Sequence, residues 1–519
     1  MLCPNKKMAA NPPQTVPDPV RHGARRAPEA PALMGLAGQV LSYGALDAVV
    51  ERAAGRLADA GVGEGTRVAC LLPRTPAYVA LLMALWRREA VAAPLPARAP
   101  PAEHARLLSA IDAAVLVSKD APPERPEGVR TLRAGKIVGE MTADAEGPPP
   151  DDPAHRPVDQ PATLVFTSGS TGPPKAALHT AGNHFFSADG SRRNLPLAPA
   201  DRWLLSLPLY HVGGLAVVLR CLWAGATVAV PRPDDPLAVA LRRTGATHAS
   251  LVAAQLRRLL DTAPSEDARN EAAPASMKAL LLGGGPVPPA LVEAAHRVGW
   301  PIAVSYGLTE MASQVTTTAP GAPLDALLHT AGRPLAHRRV RVRADGEGDV
   351  GEILVHGRTR FAGYVTAGEG GGDLREPFTC AFGEDGWLPT GDLGRFDADG
   401  RLRVTGRRDR RFVSGGENIQ PEAIEAVLRR CAGVAEAAVV PVPDEVFGQR
   451  PVAFVRRSGA PFRPAEDAPP LRAALRDELP GYAVPDTFHP WPADADARMK
   501  PDRERLKRRA REQAEGEGG

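Results

Sequence analysis

Cysteine is scarce in this chain: 5 in 519 residues, at Cys3, Cys70, Cys221, Cys380 and Cys431, widely separated and never as Cys-x-x-Cys. An odd, scattered set excludes a disulfide framework and a zinc ribbon and suits a reducing compartment, so a cytoplasmic location is expected. An excess of one charge is lacking too. Lys+Arg 63 against Asp+Glu 60 leaves a formal +3 with both signs interspersed, and without a basic face no nucleic-acid partner is expected. No apolar h-region follows Lys6 and Lys7, where Pro12, Pro13, Pro17 and Pro19 crowd in instead, which argues against a secretory signal. The stretch 212–230 is apolar except for Arg220 and Thr227 and is long enough to span a bilayer. Gly213, Gly214 and the Ala224-Gly225-Ala226 turn divide it into a buried helix and a short strand ended by Pro231, so no integral membrane span is expected.

What is present is a large soluble-type chain. At about 150 residues per domain it holds roughly three packed units. Gly 51 and Pro 54 make it loop-rich, but the total stays below the roughly 25–30% at which low-complexity disorder takes over. Helical periods at 46–61 and 77–88 alternate with β-rich runs at 68–72 and 91–95, the α/β signature. A Pro- and acid-rich stretch, 121–161, reads as a loop-dominated connector. A second βαβ-like series follows through strand 279–282, and a β-rich subdomain spans about 340–406. The last hundred residues read as a small α+β unit, with a helix at 421–432, strands at 435–441 and 451–455, and a helix at 471–479. The boundaries expected are a flexible lead 1–24, a large N-terminal α/β domain 25–406, a hinge 407–411, a mobile C-terminal α+β domain 412–511, and a disordered tail 512–519.

The densest chemistry is Thr167-Ser168-Gly169-Ser170-Thr171-Gly172-Pro173-Pro174-Lys175, directly after the apolar run Leu164-Val165-Phe166. Small and hydroxyl residues after a strand let backbone N–H groups surround a polyphosphate while a lysine adds charge. It is not a Walker A loop, because Lys175 follows Pro174 and precedes Ala176; the plain alternative is a flexible surface loop. Gly283-Gly284-Gly285 is not a dinucleotide fingerprint, since position 288 is Pro. Lysine usage is informative: of the 63 basic residues only 8 are lysines and 55 are arginines. Keeping Lys at 175 and 500 points to a need for a compact ammonium, because Arg is a planar fork.

Four further segments stand in one order: Tyr306-Gly307-Leu308-Thr309-Glu310, Thr390-Gly391-Asp392, Gly406-Arg407-Arg408-Asp409 and Ser414-Gly415-Gly416-Glu417-Asn418-Ile419. With the 167–175 loop they make the chain similar, over about 25–509, to the adenylate-forming superfamily of acyl-CoA synthetases, adenylation domains and luciferases. The resemblance implies a large α/β domain with a small rotating lid, and ATP, Mg2+ and CoA as partners of a small carboxylic acid. It implies that Thr309 contacts the α-phosphate, that Glu310 binds Mg2+, and that Asp392 holds the ribose with Arg407 reaching the nucleotide. It further implies that Gly283, Gly284, Gly285, Ser305, Tyr306 and Gly307 line the adenine and acyl pocket, and that Lys500 bridges acid and phosphate. Lys500 sits in Met499-Lys500-Pro501-Asp502-Arg503, where the family's usual Gly before the lysine is Met499. Asp409 corresponds to the hinge, and Gly415 and Gly416 to the pantetheine tunnel. Taken singly, Glu310 also reads as a helix-start acid and Asp392 as a turn residue.

Segments 206–214, 414–422 and 446–453 are similar to the o-succinylbenzoate–CoA ligases of menaquinone biosynthesis, a branch of that superfamily. Such an acid has a second carboxylate that must be held as an anion by a cation in an apolar pocket. Arg220, nine residues after the motif histidine His211, keeps the spacing by which that branch places this cation. His211 joins the catalytic set by the same resemblance, and Ser250 and Gln255 join the pocket. An arginine snorkelling from a helix end is the plain alternative. The rival activities are another aryl- or acyl-CoA ligase, a stand-alone adenylation enzyme, and a catalytically silent nucleotide-binding protein; the sequence leaves room for a homo-oligomer.

Overall fold

Helix Pro76–Arg87 shows how the local signals turn into architecture: Thr75 caps it by accepting the Tyr78 N–H at 3.2 Å, and Pro76 occupies its first turn. Residues 78–86 are buried without a break, as expected of a helix that is apolar all round and enclosed between layers. In a computed structural model of the chain, the residues described are 13–35, 38–120, 126–142, 154–167, 174–261, 276–344, 349–366, 374, 382–383, 385–414, 417–444, 447–492 and 502–517.

Two large sheets flank that helix. The first runs in the order Gly363–Val365, Ala176–Thr180, Pro161–Phe166, Val91–Pro94, Arg67–Leu71, Val115–Ser118, Arg130–Arg133, parallel except where Ala176–Thr180 pairs antiparallel with both neighbours. The second has nine strands, with a parallel centre from Ile302–Leu308 through Ala279–Leu282, His248–Leu251, Arg202–Leu204 and Thr227–Ala229 to Pro31–Met34. One apolar cluster joins Val68 and Cys70 of the first sheet, Leu46, Val79 and Leu215 of the intervening helices, and Trp203 and Val228 of the second sheet. Helices Leu237–Thr244, Ala253–Asp261 and Pro289–Arg297 cover the second sheet's other face. Strands Arg338–Ala344, Gly351–Gly357, Leu388–Phe396 and Leu402–Arg407 form the antiparallel subdomain. The phosphate-type loop and the Gly283 and Tyr306 segments thus leave the carboxyl ends of parallel strands, where α/β sheets bind ligands.

At the C-terminal end, Val434–Asp444, Gly448–Arg457 and Thr487–Pro490 form a three-stranded sheet. Helices Pro421–Arg430 and Pro464–Glu478 pack on one face, and Leu506 and Ala510 of helix Arg503–Glu517 pack on the other. Fully buried Glu425 binds Arg429 at 2.8 Å and Arg503 at 2.6 Å, and accepts the Val439 N–H at 2.8 Å. That anchor fixes where the last helix begins.

Three expectations are corrected. The lead expected to be flexible over 1–24 is ordered from residue 13, with strand Thr15–Pro17 and helix Pro19–Arg26. Val16 and Val20 enter the core, and Asp18 both caps the helix and meets Arg87 at 3.2 Å. The 121–161 connector carries strand Arg130–Arg133 and helix Ala134–Val138, because Ile137 and Val138 fill the space under helix Tyr43–Asp59. The tail placed at 512–519 is helical through Glu517, a continuation of the helix that Leu506 and Ala510 dock. The 212–230 stretch is helix Val212–Ala224, ended by left-handed Gly225, and strand Thr227–Ala229. Among the described residues no helix is long and apolar enough to cross a membrane.

Candidate active site

The Thr167 N–H donates to the Lys175 carbonyl at 3.0 Å, and Phe166 faces Ala176 in the ladder, so the strands on either side of the loop pair antiparallel right up to it. Ser168, Gly169, Ser170, Thr171 and Gly172 lie outside the described residues. Because Ala177 pairs with Tyr364 of the edge strand, Lys175 Nζ stands 5.9 Å over the Tyr364 ring. The Tyr364 hydroxyl donates to Glu310 Oε1 at 2.5 Å; burial and that carboxylate push its pKa up, so it stays a donor. Tyr364 therefore links the loop lysine to the acid expected to bind Mg2+. Nothing in the sequence marked Tyr364, since an aromatic in a short edge strand has no spacing signature.

Thr309 and Glu310 form a single 3-10 turn, Thr309–Met311. Its first residue is pinned from the strand leaving the loop, where His179 Nε2–H donates to the Thr309 carbonyl oxygen at 2.7 Å. Burial lowers the His179 pKa to about 4 from 6.5. Since the unfolded chain takes up this proton at higher pH than the folded one, the stability from neutral His179 is complete above about pH 6.5 and is lost as pH falls to about 4. His179→Gln is accordingly expected to make the acid limb of a denaturant-midpoint profile shallower between those values, beside the contributions of His184 and His248, whose pKa values burial also lowers; an unchanged limb would show that His179 does not contribute to it.

Asp392 and Arg407, both expected at the nucleotide, face each other across an antiparallel ladder. Arg407 Nη1 donates to Asp392 Oδ1 at 3.2 Å, and the Tyr306 hydroxyl donates to Asp392 Oδ2 at 2.6 Å. The other edge of the Arg407 fork meets Asp409 at 2.9 and 3.0 Å, an arrangement that raises the Arg407 pKa and lowers that of Asp409. Asp409 sits in the short turn Arg408–Arg410 between the two domains. The Ser305 hydroxyl donates to the Thr316 carbonyl at 2.9 Å. A Cβ on Gly307 would lie 2.2 Å from the Ser313 oxygen, so only glycine fits there. Gly284 has φ +84°, and Gly283 abuts the Ser305 carbonyl, which sets the glycine turn, Gly285 included, beside this strand end. Tyr306, expected near a base, is hydrogen-bonded to the aspartate expected to hold the ribose.

Arg220, expected to hold a second carboxylate of the acid, is 2% exposed on helix Val212–Ala224. It does not snorkel. Its Nη2 donates to Gln314 Oε1 at 2.8 Å and its guanidinium lies 4.5 Å over the Trp203 ring, while its buried Nε and Nη1 have no hydrogen-bond partner among the described residues. Burial brings its pKa down to about 10, still charged at neutral pH. Ser250 Oγ accepts from Trp203 Nε1 at 3.1 Å, so it acts one side chain away from Arg220. Gln255 is spent on backbone, accepting from Val252 N–H at 3.1 Å and donating to the Ser206 carbonyl at 3.3 Å. His211 occupies the N-cap position of the same helix, its ring 4.6 Å from that of Tyr210, about 13.5 Å of helix rise from Arg220. Lys500, Gly415 and Gly416 lie outside the described residues. Gln314, four residues after Glu310, was missed by sequence reasoning, because its partner lies 94 residues earlier.

Against this geometry the likenesses to known proteins can be set. The AMP-binding enzyme model matches residues 20–365, and the AMP-binding enzyme C-terminal domain matches 423–496. The 2-succinylbenzoate–CoA ligase of Bacillus licheniformis is 34% identical over 445 residues, 85% of this chain and 88% of that relative. The o-succinylbenzoate CoA synthetase of Bacillus subtilis in complex with its acyl-adenylate intermediate superposes with a TM-score of 0.81 at 31% identity, covering 95% of this chain and 98% of that one. The same enzyme with ATP and magnesium ion gives 0.80 at 31% identity, covering 95% and 100%. With the loop, the Thr309-Glu310 turn, the Asp392–Arg407 pair and the C-terminal domain all in the matching order, the chain belongs to the AMP-binding enzyme family.

Proposed function

We propose that the chain is an ATP-dependent, AMP-forming acid–CoA ligase whose acid is o-succinylbenzoate, the CoA ligation of menaquinone biosynthesis. The observation that carries the acid is Arg220: a buried guanidinium with two nitrogens unpartnered among the described residues costs several kcal/mol unless an anion completes it. A second carboxylate on the substrate is such an anion.

In the first half-reaction an oxygen of the succinyl carboxylate bonds to the α-phosphorus of ATP as the bond to the β-phosphate oxygen breaks and pyrophosphate leaves. In the second, the CoA sulfur, having lost its proton, bonds to the acyl carbon and AMP departs with the electron pair. Asp392 orients the ribose hydroxyls while Arg407 holds that carboxylate in place, and Tyr306 donates to its other oxygen. Lys175 and the loop residues 167–172 take the phosphates, with Thr309 at the α-phosphate. Glu310, whose Oε1 is fixed by Tyr364, would hold Mg2+, which when bound offsets phosphate charge. Lys500 supplies the cation between acid and α-phosphate. Asp409 is the pivot of a lid spanning 412–511 on a body spanning 25–406, and Gly415 and Gly416 let pantetheine pass. Ser250 and Gln255 hold Trp203 and the Ser206 segment around the acyl pocket, and His211 stands at the start of the Arg220 helix.

Buried thiols at Cys70 and Cys221 support a reducing, cytoplasmic setting, and a homo-oligomer fits the reading without being required by it. The test is pyrophosphate release across a panel of acids with and without CoA. Turnover that needs both o-succinylbenzoate and CoA is expected; turnover only with benzoic or fatty acids would overturn the acid, and release independent of CoA would overturn the ligase.

A further inference from the structure

Arg220 is held by a partner that leaves its charge uncompensated. Gln314, 2% exposed, accepts from Arg220 Nη2 and, through the same oxygen, from the Ser191 hydroxyl at 2.7 Å, while its Nε2 donates to Thr317 Oγ1 at 2.8 Å. These three bonds fix the amide: turning it over would aim NH2 at a guanidinium, and would aim the oxygen at the Thr317 hydroxyl, which already donates to the Thr316 carbonyl at 2.7 Å. Behind it lies a second enclosed guanidinium. Arg338, 6% exposed, donates to the Gln314 carbonyl at 2.6 Å, the Ala336 carbonyl at 2.9 Å and the Ser187 hydroxyl at 3.0 Å, all neutral acceptors. Burial, then repulsion from Arg220, lowers its pKa to about 9. The acid facing this corner, Asp189, is engaged by His337, Arg192 and Arg193. Two cations thus meet one neutral residue, Arg220 at its side-chain oxygen and Arg338 at its backbone carbonyl.

We propose that Gln314 is a positioning and specificity-determining residue: it orients Arg220 with a neutral oxygen, so that the guanidinium's charge is reserved for a second carboxylate on the acid substrate. The inference rests on the reading of the substrate as a dicarboxylate. A glutamate at 314 would be close in shape, would take the same hydrogen bonds from Arg220 and Ser191, and would cancel the charge. Positive charge unbalanced by protein selects a dianionic acid over an otherwise identical monoanion, because the monoanion leaves the cation desolvated and unpaired.

The probes are 2-succinylbenzoate and 4-oxo-4-phenylbutanoate, which lacks the ring carboxylate, with ATP, Mg2+ and CoA and the full chain. Gln314→Glu is expected to raise KM for the diacid about 30-fold, to leave kcat near its original value, and to change KM for the monoacid less than about 3-fold. Gln314→Met, which removes the oriented oxygen but keeps Arg220 charged, is expected to raise the diacid KM about 5-fold with the monoacid again unmoved. A merely structural role would raise both KM values together and lower Tm, and that result, or an unchanged KM ratio in Gln314→Glu, would overturn the inference. Should Gln314→Glu fail to fold, the Gln314→Met ratio decides in the same way. Failure of the unaltered chain to turn over the diacid at all is a separate result, and it overturns the substrate rather than the role of Gln314.

Discussion

Lys500→Ala is expected to slow acyl-adenylate formation by about 10²–10³-fold while thioester formation from preformed acyl-adenylate and CoA stays within about tenfold of the unaltered chain. The attacking acid and the α-phosphate are both anions, and like charges about 4 Å apart at an effective dielectric near 20 repel by about 4 kcal/mol. A cation between them removes a term of that size, which at 1.36 kcal/mol per decade is close to three decades of rate. The second half-reaction loses AMP to a neutral-to-monoanionic sulfur and needs no such bridge, so the loss should fall on one half. Only 8 of 63 basic residues are lysines, and an ammonium's compact charge fits between two oxygens where a guanidinium fork does not. The residue stands three positions before Arg503, whose ion pair with Glu425 at 2.6 Å ties the start of the last helix to the C-terminal domain. Pyrophosphate release and single-turnover thioester formation, measured side by side, check the split; equal loss in both would refute the bridging role.

Arg220→Met should do the reverse of what a structural arginine does. KM for 2-succinylbenzoate is expected to rise about 100-fold or more, from loss of a desolvated charge pair, with kcat/KM for the monoacid 4-oxo-4-phenylbutanoate unchanged or improved. The free protein is expected to be no less stable, because replacing a poorly compensated buried charge by an apolar side chain of similar length is neutral or favourable by about 1–3 kcal/mol, which offsets the cation–π contact with Trp203. A lowered Tm with an unchanged diacid KM would mean that Arg220 serves the fold. Activity and Tm move in opposite directions only if the charge is kept for the ligand.

The α/β alternation was legible because it rests on local periodicity: Arg67–Leu71, Pro76–Arg87 and Val91–Pro94 lie within a few residues of the runs expected. Gly225 and Pro231 marked the ends of the apolar stretch by their own backbone geometry. The ordered lead was not legible, since its Pro-rich composition signals a loop while its order comes from Arg87, which meets Asp18 across the fold. The helical tail was hidden in the same way, its polar sequence held by two apolar residues against a distant sheet.

The order of the chemical segments and the choice of lysine at two positions in an arginine-rich chain were determined along the chain, and the resemblance carried by those segments implied that Asp392 and Arg407 share one site. They depend on residue type and short spacing, which sequence carries directly. That Arg220 would be enclosed with a neutral partner, that Tyr364 would join Lys175 to Glu310, and that His179 would pin Thr309 from 130 positions away was decided only by tertiary structure. A side chain's dielectric surroundings and its hydrogen-bond partner are set by which sheets and helices close over it, and no local pattern encodes that closure.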